Sequence, residues 1–281
     1  MMTGKDSAAG PLNAYLLRSA LVAALGGLLF GFDTAVIAGT TQALTTGFQL
    51  TPALLGFTVS SALWGTVLGS IFAAAPSDKY GRVACLRALG VLYVVTALGC
   101  AFAWNWYALV SFRALGGLAI GGSSVIGPMY IAEISPADKR GRLVGMFQFN
   151  VVLGILVAYL SNYLVGLLSL GAAEWRWKLG VAAVPAAGFF LALFGIPQSP
   201  RWLARMGRAA EARQVLIAIG ERDVESELGE IMATVRVESN RGTEPLFQHK
   251  YRLPVFLAIS IGMFNQLAGI NAILYYLNDI F

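Results

Sequence analysis

Long apolar runs, separated by short polar connections, occupy most of the chain. A helix needs about 20 predominantly apolar residues to cross the hydrocarbon core of a bilayer. The runs that meet this length extend from Tyr15 to Thr40, Ala53 to Ala75, Ala84 to Ala103, Trp106 to Ala132, Leu143 to Leu168, Lys178 to Ile196 and Leu253 to Phe281. The pattern therefore predicts an all-α membrane protein that crosses the bilayer seven times.

The stretch from Gln198 to Lys250 differs in kind from the rest. Arg and Glu alternate there with apolar residues at helical spacing, and no run is long enough to cross a membrane. We therefore predict a cytoplasmic N-terminus (residues 1–14), a six-helix transmembrane bundle (15–196) and a cytoplasmic linker with short amphipathic helices (197–252). A seventh transmembrane helix (253–281) starts an incomplete second bundle.

Composition and charge agree with a membrane protein. The chain is 57% hydrophobic and 12% charged, whereas soluble domains carry about 25% charged residues. The net charge of +5 does not indicate nucleic-acid binding, because Lys and Arg concentrate in the connections after the second, fourth and sixth runs. The positive-inside rule places these connections and the N-terminus in the cytoplasm. A bacterial inner (plasma) membrane is the predicted location, with the outer interface marked by four tryptophans: Trp104, Trp106, Trp175 and Trp177.

Catalytic and metal-binding residues are scarce. The chain has a single histidine, His249, and its two cysteines, Cys85 in a basic loop and Cys100 in an apolar run, have no paired spacing. We expect no enzyme activity, no metal and no bound cofactor.

A short sequence repeat follows the second and fourth runs. The pattern D-K-x-G-R occurs twice at predicted cytoplasmic helix ends, as Asp78-Lys79-Tyr80-Gly81-Arg82 and as Asp138-Lys139-Arg140-Gly141-Arg142. The arginines can reach carboxylates or helix C-terminal carbonyls on a neighbouring helix, and Glu133 is the obvious partner. The cluster would hold one conformation closed. The alternative is that these residues are only topogenic charges in tight loops.

Two charges lie inside the predicted membrane region at matching depths. Asp33 in the first run and Arg113 in the fourth each lie on the order of 10 Å below the outer surface. An ion pair between antiparallel helices would offset the cost of burying each charge. The pair is either a static packing bridge or a switch that opens when Asp33 takes up a proton.

Amides and phenols interrupt the seventh run. Asn265, Gln266, Asn271, Tyr275 and Tyr276 lie in an otherwise apolar segment. Amides offer both donors and acceptors, which suits neutral, hydroxyl-rich ligands better than ions. Gln148 in the fifth run could face the same cavity. Interhelical hydrogen bonding is the alternative role for such residues.

The ordered motifs resemble the sugar porter family of the major facilitator superfamily, from about Ala20 to the last residue. The segments that carry the resemblance run from Gly26 to Asp33, Asp78 to Arg82, Arg113 through Pro128–Pro136 to Arg142, Pro197 to Leu203, and Asn265 to Asn271. Any one of these motifs would be weak, but together and in this order they are very specific.

The resemblance implies a proton-coupled symporter of a small neutral sugar, a monosaccharide, that works by alternating access in the lipid bilayer. The proton would be the coupling ion, carried by Asp33 with Arg113. The implied sugar-binding residues are Phe30, Gln148, Asn265, Gln266, Asn271 and Tyr276. The implied cytoplasmic gate comprises Asp78, Arg82, Glu133, Arg140, Arg142 and Arg201.

The sequence also departs from the family pattern. Asn265 replaces the first Gln of the seventh-helix motif, and Gln198 replaces the usual Glu after the sixth span. The family has two six-span halves, so a truncated transporter is expected to need its second half or a second copy for a complete transport path. Two alternatives stay open: a non-transporting membrane sugar sensor and an inactive truncated fragment.

Overall fold

The computed structural model describes residues 13–240 and 248–276 of the 281-residue chain, without the side chains of residues 238–240, 250, 265 and 271. Within the described residues all regular structure is helical, as predicted. The α-helices are α1 (Ala14–Val36), α2 (Thr41–Phe48), α3 (Pro52–Phe72), α4 (Ala74–Tyr80), α5 (Arg82–Ala101), α6 (Trp106–Ile134), α7 (Arg140–Leu167), α8 (Glu174–Gly180), α9 (Ala183–Ala192), α10 (Pro200–Arg205), α11 (Ala209–Ile219), α12 (Val224–Asn240), α13 (Arg252–Leu267) and α14 (Ile270–Tyr275). Residues 1–12 of the predicted N-terminal segment (1–14) lie outside the described part of the chain.

Six segments of the described chain are long and apolar enough to cross a membrane. They are Ala14–Gly39, Pro52–Phe72, Arg82–Ala101, Trp106–Ile134, Arg140–Leu167 and Gly171–Gly195. Each overlaps one of the first six predicted runs, so the six-helix bundle is confirmed. Cys85, which the sequence analysis assigns to a loop, lies buried in α5 instead.

The sixth and seventh predicted spans are interrupted rather than continuous. In the sixth, α8 ends at Gly180 and α9 begins at Ala183, and Pro185 has no N–H to bond back across the junction. In the seventh, α13 and α14 are separated at Gly269, whose φ of 73° is left-handed and free of steric cost only in glycine. Residues 277–281 lie outside the described part of the chain.

Glycines bring the membrane helices into close contact. α1 packs along α7, and α3 packs along α6. A Cβ atom added to Gly31 of α1 or Gly154 of α7 would lie 1.9 Å or 2.1 Å from a backbone oxygen of the other helix. Gly65 and Gly117 play the same reciprocal role between α3 and α6. Small residues allow such close approach of membrane helices, and they hold in place the two helices, α1 and α6, that carry Asp33 and Arg113.

The linker helices contact one end of the bundle. The indole Nε1 of Trp202 in α10 donates to the backbone oxygen of Asp78, 2.9 Å away. The side-chain Nδ2 of Asn13 donates to the Ala218 oxygen in α11, 3.1 Å away. The linker therefore contacts both the start of α1 and the segment before α5.

The outer end of the bundle differs from the predicted aromatic belt. Trp104 and Trp177 are exposed, but Trp175 is buried and packs edge-on against Phe48 with ring centroids 5.6 Å apart. Phe48 ends α2, a helix that the apolar pattern does not predict. Trp175 is thus a core residue of the outer end rather than an interfacial anchor.

Candidate functional site

Asp33 and Arg113 face each other in the interior of the bundle. Asp33 lies in α1 and Arg113 in α6, and an Oδ2 of Asp33 is 3.7 Å from Nη2 of Arg113. The Arg113 side chain is 2% exposed, whereas that of Asp33 is 31% exposed. A guanidinium this deeply buried needs a counter-charge, and Asp33 supplies it while keeping one side open. The structure therefore brings together the two charges that were paired from their depth alone.

A hydrogen-bonded pair of hydroxyls lies beside this ion pair. The Tyr93 hydroxyl is 2.9 Å from Oγ of Ser123, and both residues are buried. Ser123 already donates to the Ile120 oxygen, 3.1 Å away, so Tyr93 acts as the donor toward Ser123. Tyr93 was not singled out from the sequence, because one phenol in an apolar run gives no signal of its neighbours.

The residues predicted to bind sugar are spread over three helical regions. Phe30 is half-buried in α1, Gln148 is exposed on α7, and Gln266 is exposed near the end of α13. Tyr276, after α14, is half-buried and its hydroxyl oxygen lies 4.0 Å from a Cβ built on Gly56. The structure does not describe the side chains of Asn265 and Asn271.

The interruption at Gly269 changes the geometry expected of the seventh run. Residues on either side of it do not share one helical axis, so the angular offset expected between Gln266 and Asn271 on a single helix does not apply. After the interruption, α14 packs on α1, and the hydroxyl of Tyr159 in α7 donates to the Leu274 oxygen at 2.9 Å. Tyr275 is buried there.

A bidentate ion pair joins α5 and α6 at the end of the bundle that contacts the linker. Nε and Nη2 of Arg82 donate to the two carboxylate oxygens of Glu133 at 2.9 Å and 2.8 Å. Nη1 of Arg82 donates to Asp78 at 3.0 Å, and Arg205 of the linker pairs with the same Asp78 oxygen at 3.0 Å. Both Arg82 and Glu133 are buried, so this is a desolvated pair with its geometry satisfied.

Other members of the predicted gate stand at the edge of this cluster. Arg201 is half-buried and Arg140 is exposed, and both line a cavity of about 540 Å³ between the bundle and α12. Arg142, the remaining member of the predicted gate, is exposed and forms no ion pair with the described residues. The second copy of the repeat lacks a buried carboxylate opposite its last arginine, and Glu133 is already engaged by Arg82.

Gln198, which replaces the usual Glu of the family motif, contacts the start of α5. Its Oε1 accepts from the backbone N–H of Val83 at 3.3 Å, in the first turn of α5. Gly81, the N-cap of α5, has no side chain to cap that turn and adopts a φ of 93°. Gln198 therefore caps α5 from the start of the linker.

Two cations at the end of the bundle opposite the linker bind the C-terminal ends of helical segments. Nη1 of Arg176 donates to the oxygens of Ala101 and Ala103 at 2.9 Å and 2.8 Å, at the end of α5. Nζ of Lys178 donates to the Gly39 oxygen at 2.9 Å and pairs with Glu174. Cations at helix C-termini satisfy carbonyls that have no partner within the helix.

Among the described residues, no group of three or more His, Cys, Asp or Glu side chains could hold a metal ion. The chemistry available at the two clusters is proton exchange on a carboxylate and the making and breaking of ion pairs.

Comparison with known proteins identifies the fold. Residues 19–281 match the family described as "Sugar (and other) transporter". A glucose transport protein of Synechocystis sp. is 38% identical over 273 residues, and the match covers 93% of this chain and 58% of the relative. A D-xylose transporter of Levilactobacillus brevis is 38% identical over 261 residues, covering 92% of this chain and 56% of that one.

A solved structure shares both the fold and a third of the sequence. The proton:xylose symporter of the major facilitator superfamily, bound to 6-bromo-6-deoxy-D-glucose, superposes with a TM-score of 0.84 at 33% identity, and the match covers 96% of this chain and 63% of that one. The chain thus spans rather more than half the length of the relatives it matches.

Proposed function

Because this chain belongs to the sugar transporter family of the major facilitator superfamily, we propose that it is the proton-coupled, sugar-recognising part of a monosaccharide symporter. The observation that carries this proposal is the ion pair between Asp33, partly exposed, and Arg113, almost fully buried. Protonation of Asp33 removes the charge that holds Arg113. Proton uptake and a change in helix packing are then linked at one site.

The substrate is a small neutral sugar, and protons are the only coupling ion proposed. The relatives include a glucose transport protein and a xylose transporter, and the solved relative is a proton:xylose symporter. Phe30, Gln148, Gln266 and Tyr276, together with Asn265 and Asn271, are proposed to contact the sugar. Their amides and phenols match hydroxyl groups as donors and acceptors.

The cytoplasmic cluster is proposed to act as the gate. The pair of Arg82 with Glu133, the bridge from Asp78 to Arg205, and the nearby Arg140 and Arg201 join the bundle to the linker. Breaking buried pairs of this kind is costly, so the cluster favours one conformation until sugar and proton binding outweigh it. Alternating access rocks one half of such a transporter against the other. The rest of the path would come from a second half or a second copy.

The protein is proposed to lie in a bacterial inner (plasma) membrane with its N-terminus in the cytoplasm. The linker and the gate cluster then face the cytoplasm, and the sugar enters from the opposite side. We also propose the domain limits predicted from the sequence, with the bundle over residues 15–196 and the linker over 197–252.

Uptake of labelled D-xylose and D-glucose into proteoliposomes, driven by a proton gradient, tests the proposal. The chain would be assayed alone and together with the part of the Levilactobacillus brevis xylose transporter outside the matched region. In the transporting preparation, Asp33→Asn should abolish gradient-driven uptake while exchange across the membrane persists. The reason is that an amide cannot take up the coupling proton.

The matched control is Asp223→Asn, which changes an exposed acid that caps the start of α12 through Ser226. This variant should transport like the unmodified chain. Gradient-driven uptake that survives in Asp33→Asn would remove Asp33 from the coupling mechanism. Absence of sugar uptake and sugar binding in both preparations would argue against a transporter.

A further inference from the structure

A small internal cavity borders the Asp33–Arg113 pair. Its volume is about 30 Å³, and its polar lining comes from Asp33, Arg113, Thr96, Tyr93 and Cys100, with Gly116 at its wall. A water molecule needs about 10–15 Å³ of such volume and two to four polar partners. The cavity therefore has the size and the lining for one or two water molecules and is too small for a sugar.

One donor of the lining residue Arg113 has no protein partner. Nε of Arg113 is buried and makes no hydrogen bond to any described residue. Burying an N–H without an acceptor costs about 1–3 kcal/mol, and more for a charged group. An acceptor that is not part of the protein would relieve this cost.

Two residues with acceptor oxygens, Thr96 and Asp33, line the same cavity. The Thr96 hydroxyl donates to the Leu92 and Tyr93 oxygens, at 2.8 Å and 3.1 Å, so its own oxygen keeps lone pairs that can accept. The Asp33 carboxylate accepts by nature. Its Oδ2 atom lies 3.7 Å from Nη2 of Arg113, which is beyond the range of a hydrogen bond. The lone pairs of the carboxylate therefore remain available to another donor.

We propose that this cavity is a hydration site, in which water accepts from Nε of Arg113 and donates to Asp33 and Thr96. The inference rests on the proposed function, because it assigns to the bound water the last step of proton delivery. A proton from a hydronium ion in the aqueous phase passes through the bound water to an Asp33 oxygen. One O–H bond of hydronium breaks, the carboxyl O–H bond forms, and Arg113 keeps its proton and its charge.

The water would also keep one N–H donor of Arg113 satisfied when the pair separates. When Asp33 becomes neutral, Arg113 loses its counter-ion, but its Nε remains hydrogen-bonded to water inside the bundle. The titratable and charged groups around the carboxylate are Arg113, Tyr93 and Cys100 in the lining, and Tyr275 on α14, which interacts electrostatically with both Asp33 and Arg113. Arg113 is the fixed positive charge among them.

Infrared difference spectroscopy of the chain in lipid nanodiscs tests the site. Spectra would be compared between about pH 8 and about pH 4, which brackets carboxyl titration. A carboxyl C=O band that is absent in Asp33→Asn reports the protonation of Asp33. O–H bands that shift when H₂¹⁸O replaces ordinary water report ordered water that responds to it.

Gly116→Ala is the variant that should displace the water. The added methyl carbon would lie 3.3 Å from the Thr96 hydroxyl oxygen, at the wall of the cavity. The water bands should be lost in this variant and should shift in Thr96→Val, which keeps the shape but removes the acceptor. Gly188→Ala on α9, where an added Cβ has no neighbour within 4 Å, is the control and should keep the bands. Circular dichroism and gel filtration establish that each variant is folded.

Water bands that are missing from the unmodified chain, or unchanged in both Gly116→Ala and Thr96→Val, overturn the hydration site. If the Asp33 carboxyl band still titrates in that case, the proposed proton site stands without the water. If the water bands respond to the cavity variants but no Asp33 band titrates, the hydration site stands and Asp33 as proton carrier fails.

Discussion

Glu227 is a half-buried carboxylate of the linker, in α12. It lines the cavity that also contains Arg140 and Arg201. Desolvation by burial raises the pKa of Glu227, the nearby charges of Glu221 and Glu230 raise it further, and Arg140 lowers it. A carboxyl with a raised pKa binds its proton more tightly in the folded state than in the unfolded state. Its charged form therefore costs stability above the raised pKa, and this cost disappears as the pH falls through it.

Replacing Glu227 by glutamine should remove that pH dependence. We expect Glu227→Gln to melt at a higher temperature than the unmodified chain at neutral pH and to differ little from it in mild acid, where Glu227 is protonated. The measurement is the thermal midpoint of the purified chain at both pH values. Glu225→Gln is the control, because Glu225 is on the same helix with its side chain 68% exposed, in a surface pair with Arg213. A destabilised Glu227→Gln at neutral pH would mean that the attraction to Arg140 outweighs burial.

The partner of a charged residue could be predicted from the sequence where only one opposite charge lies at the same depth in the membrane. Asp33 and Arg113 could be paired from sequence because a charge inside a membrane span needs a counter-charge at the same depth. Arg142 could not be separated from Arg82, since both end the same five-residue motif. Only the packing shows that Glu133 reaches the first arginine and leaves the second exposed.

At the scale of helices, Asn13 connects the start of the first membrane helix to the linker. Its Oδ1 accepts from the Tyr15 N–H at 2.7 Å and so caps α1, while its Nδ2 donates to the Ala218 oxygen near the end of α11. One amide thus satisfies a free N–H at one helix end and a free carbonyl at another. α1 also carries Asp33, so this contact links the linker to the helix of the ion pair.

Asn13→Asp should separate these two roles. The carboxylate still caps α1, and its charge is favoured at a helix N-terminus, but it cannot donate to Ala218 and is repelled by the carbonyls at the end of α11. We expect faster amide hydrogen exchange in Ala209–Ile219 and unchanged exchange at the start of α1. Asn13→Ala, which loses both contacts, should speed exchange in both helices. Unchanged exchange of α11 in both variants would show that its apolar packing alone holds it.

Helices were predictable in number and position, but not in their interruptions or their partners. Apolar length identifies the first six spans because the bilayer sets that length. The same signal runs unbroken through Gly269, because a glycine in an apolar run is compatible with a helix, a break or close packing. Here Gly269 adopts a positive φ, whereas Gly31 and Gly154 lie in helices at contacts with a facing backbone. The amphipathic α2 lacks membrane-spanning length, so the search for spans does not find it.

At the scale of the whole molecule, several cations of the described chain lie at the end of the bundle that contacts the linker. Lys79 near the end of α4, Lys139 just before α7 and Arg142 in the first turn of α7 lie there in addition to the gate residues. The cations of the opposite end, Arg176 and Lys178, are instead bound to helix C-terminal carbonyls. The positive-inside rule assigns the connection that carries these two residues to the outer side. Because the carbonyl oxygens partly neutralise their charge, their presence there is compatible with the rule.

This asymmetry predicts the orientation of the chain in the membrane. In a background with both buried cysteines replaced by alanine, the variants Ala172→Cys and Asp138→Cys place a thiol at exposed positions at opposite ends of the bundle. A membrane-impermeant maleimide should label Ala172→Cys in intact cells and Asp138→Cys only after the membrane is opened, because moving the cation-rich connections across the bilayer is unfavourable. Labelling in the reverse order would place the linker outside and the gate cluster at the extracellular end. Equal labelling of both positions in intact cells would show mixed orientations, and would mean that the capped cations of the outer end still count in setting topology.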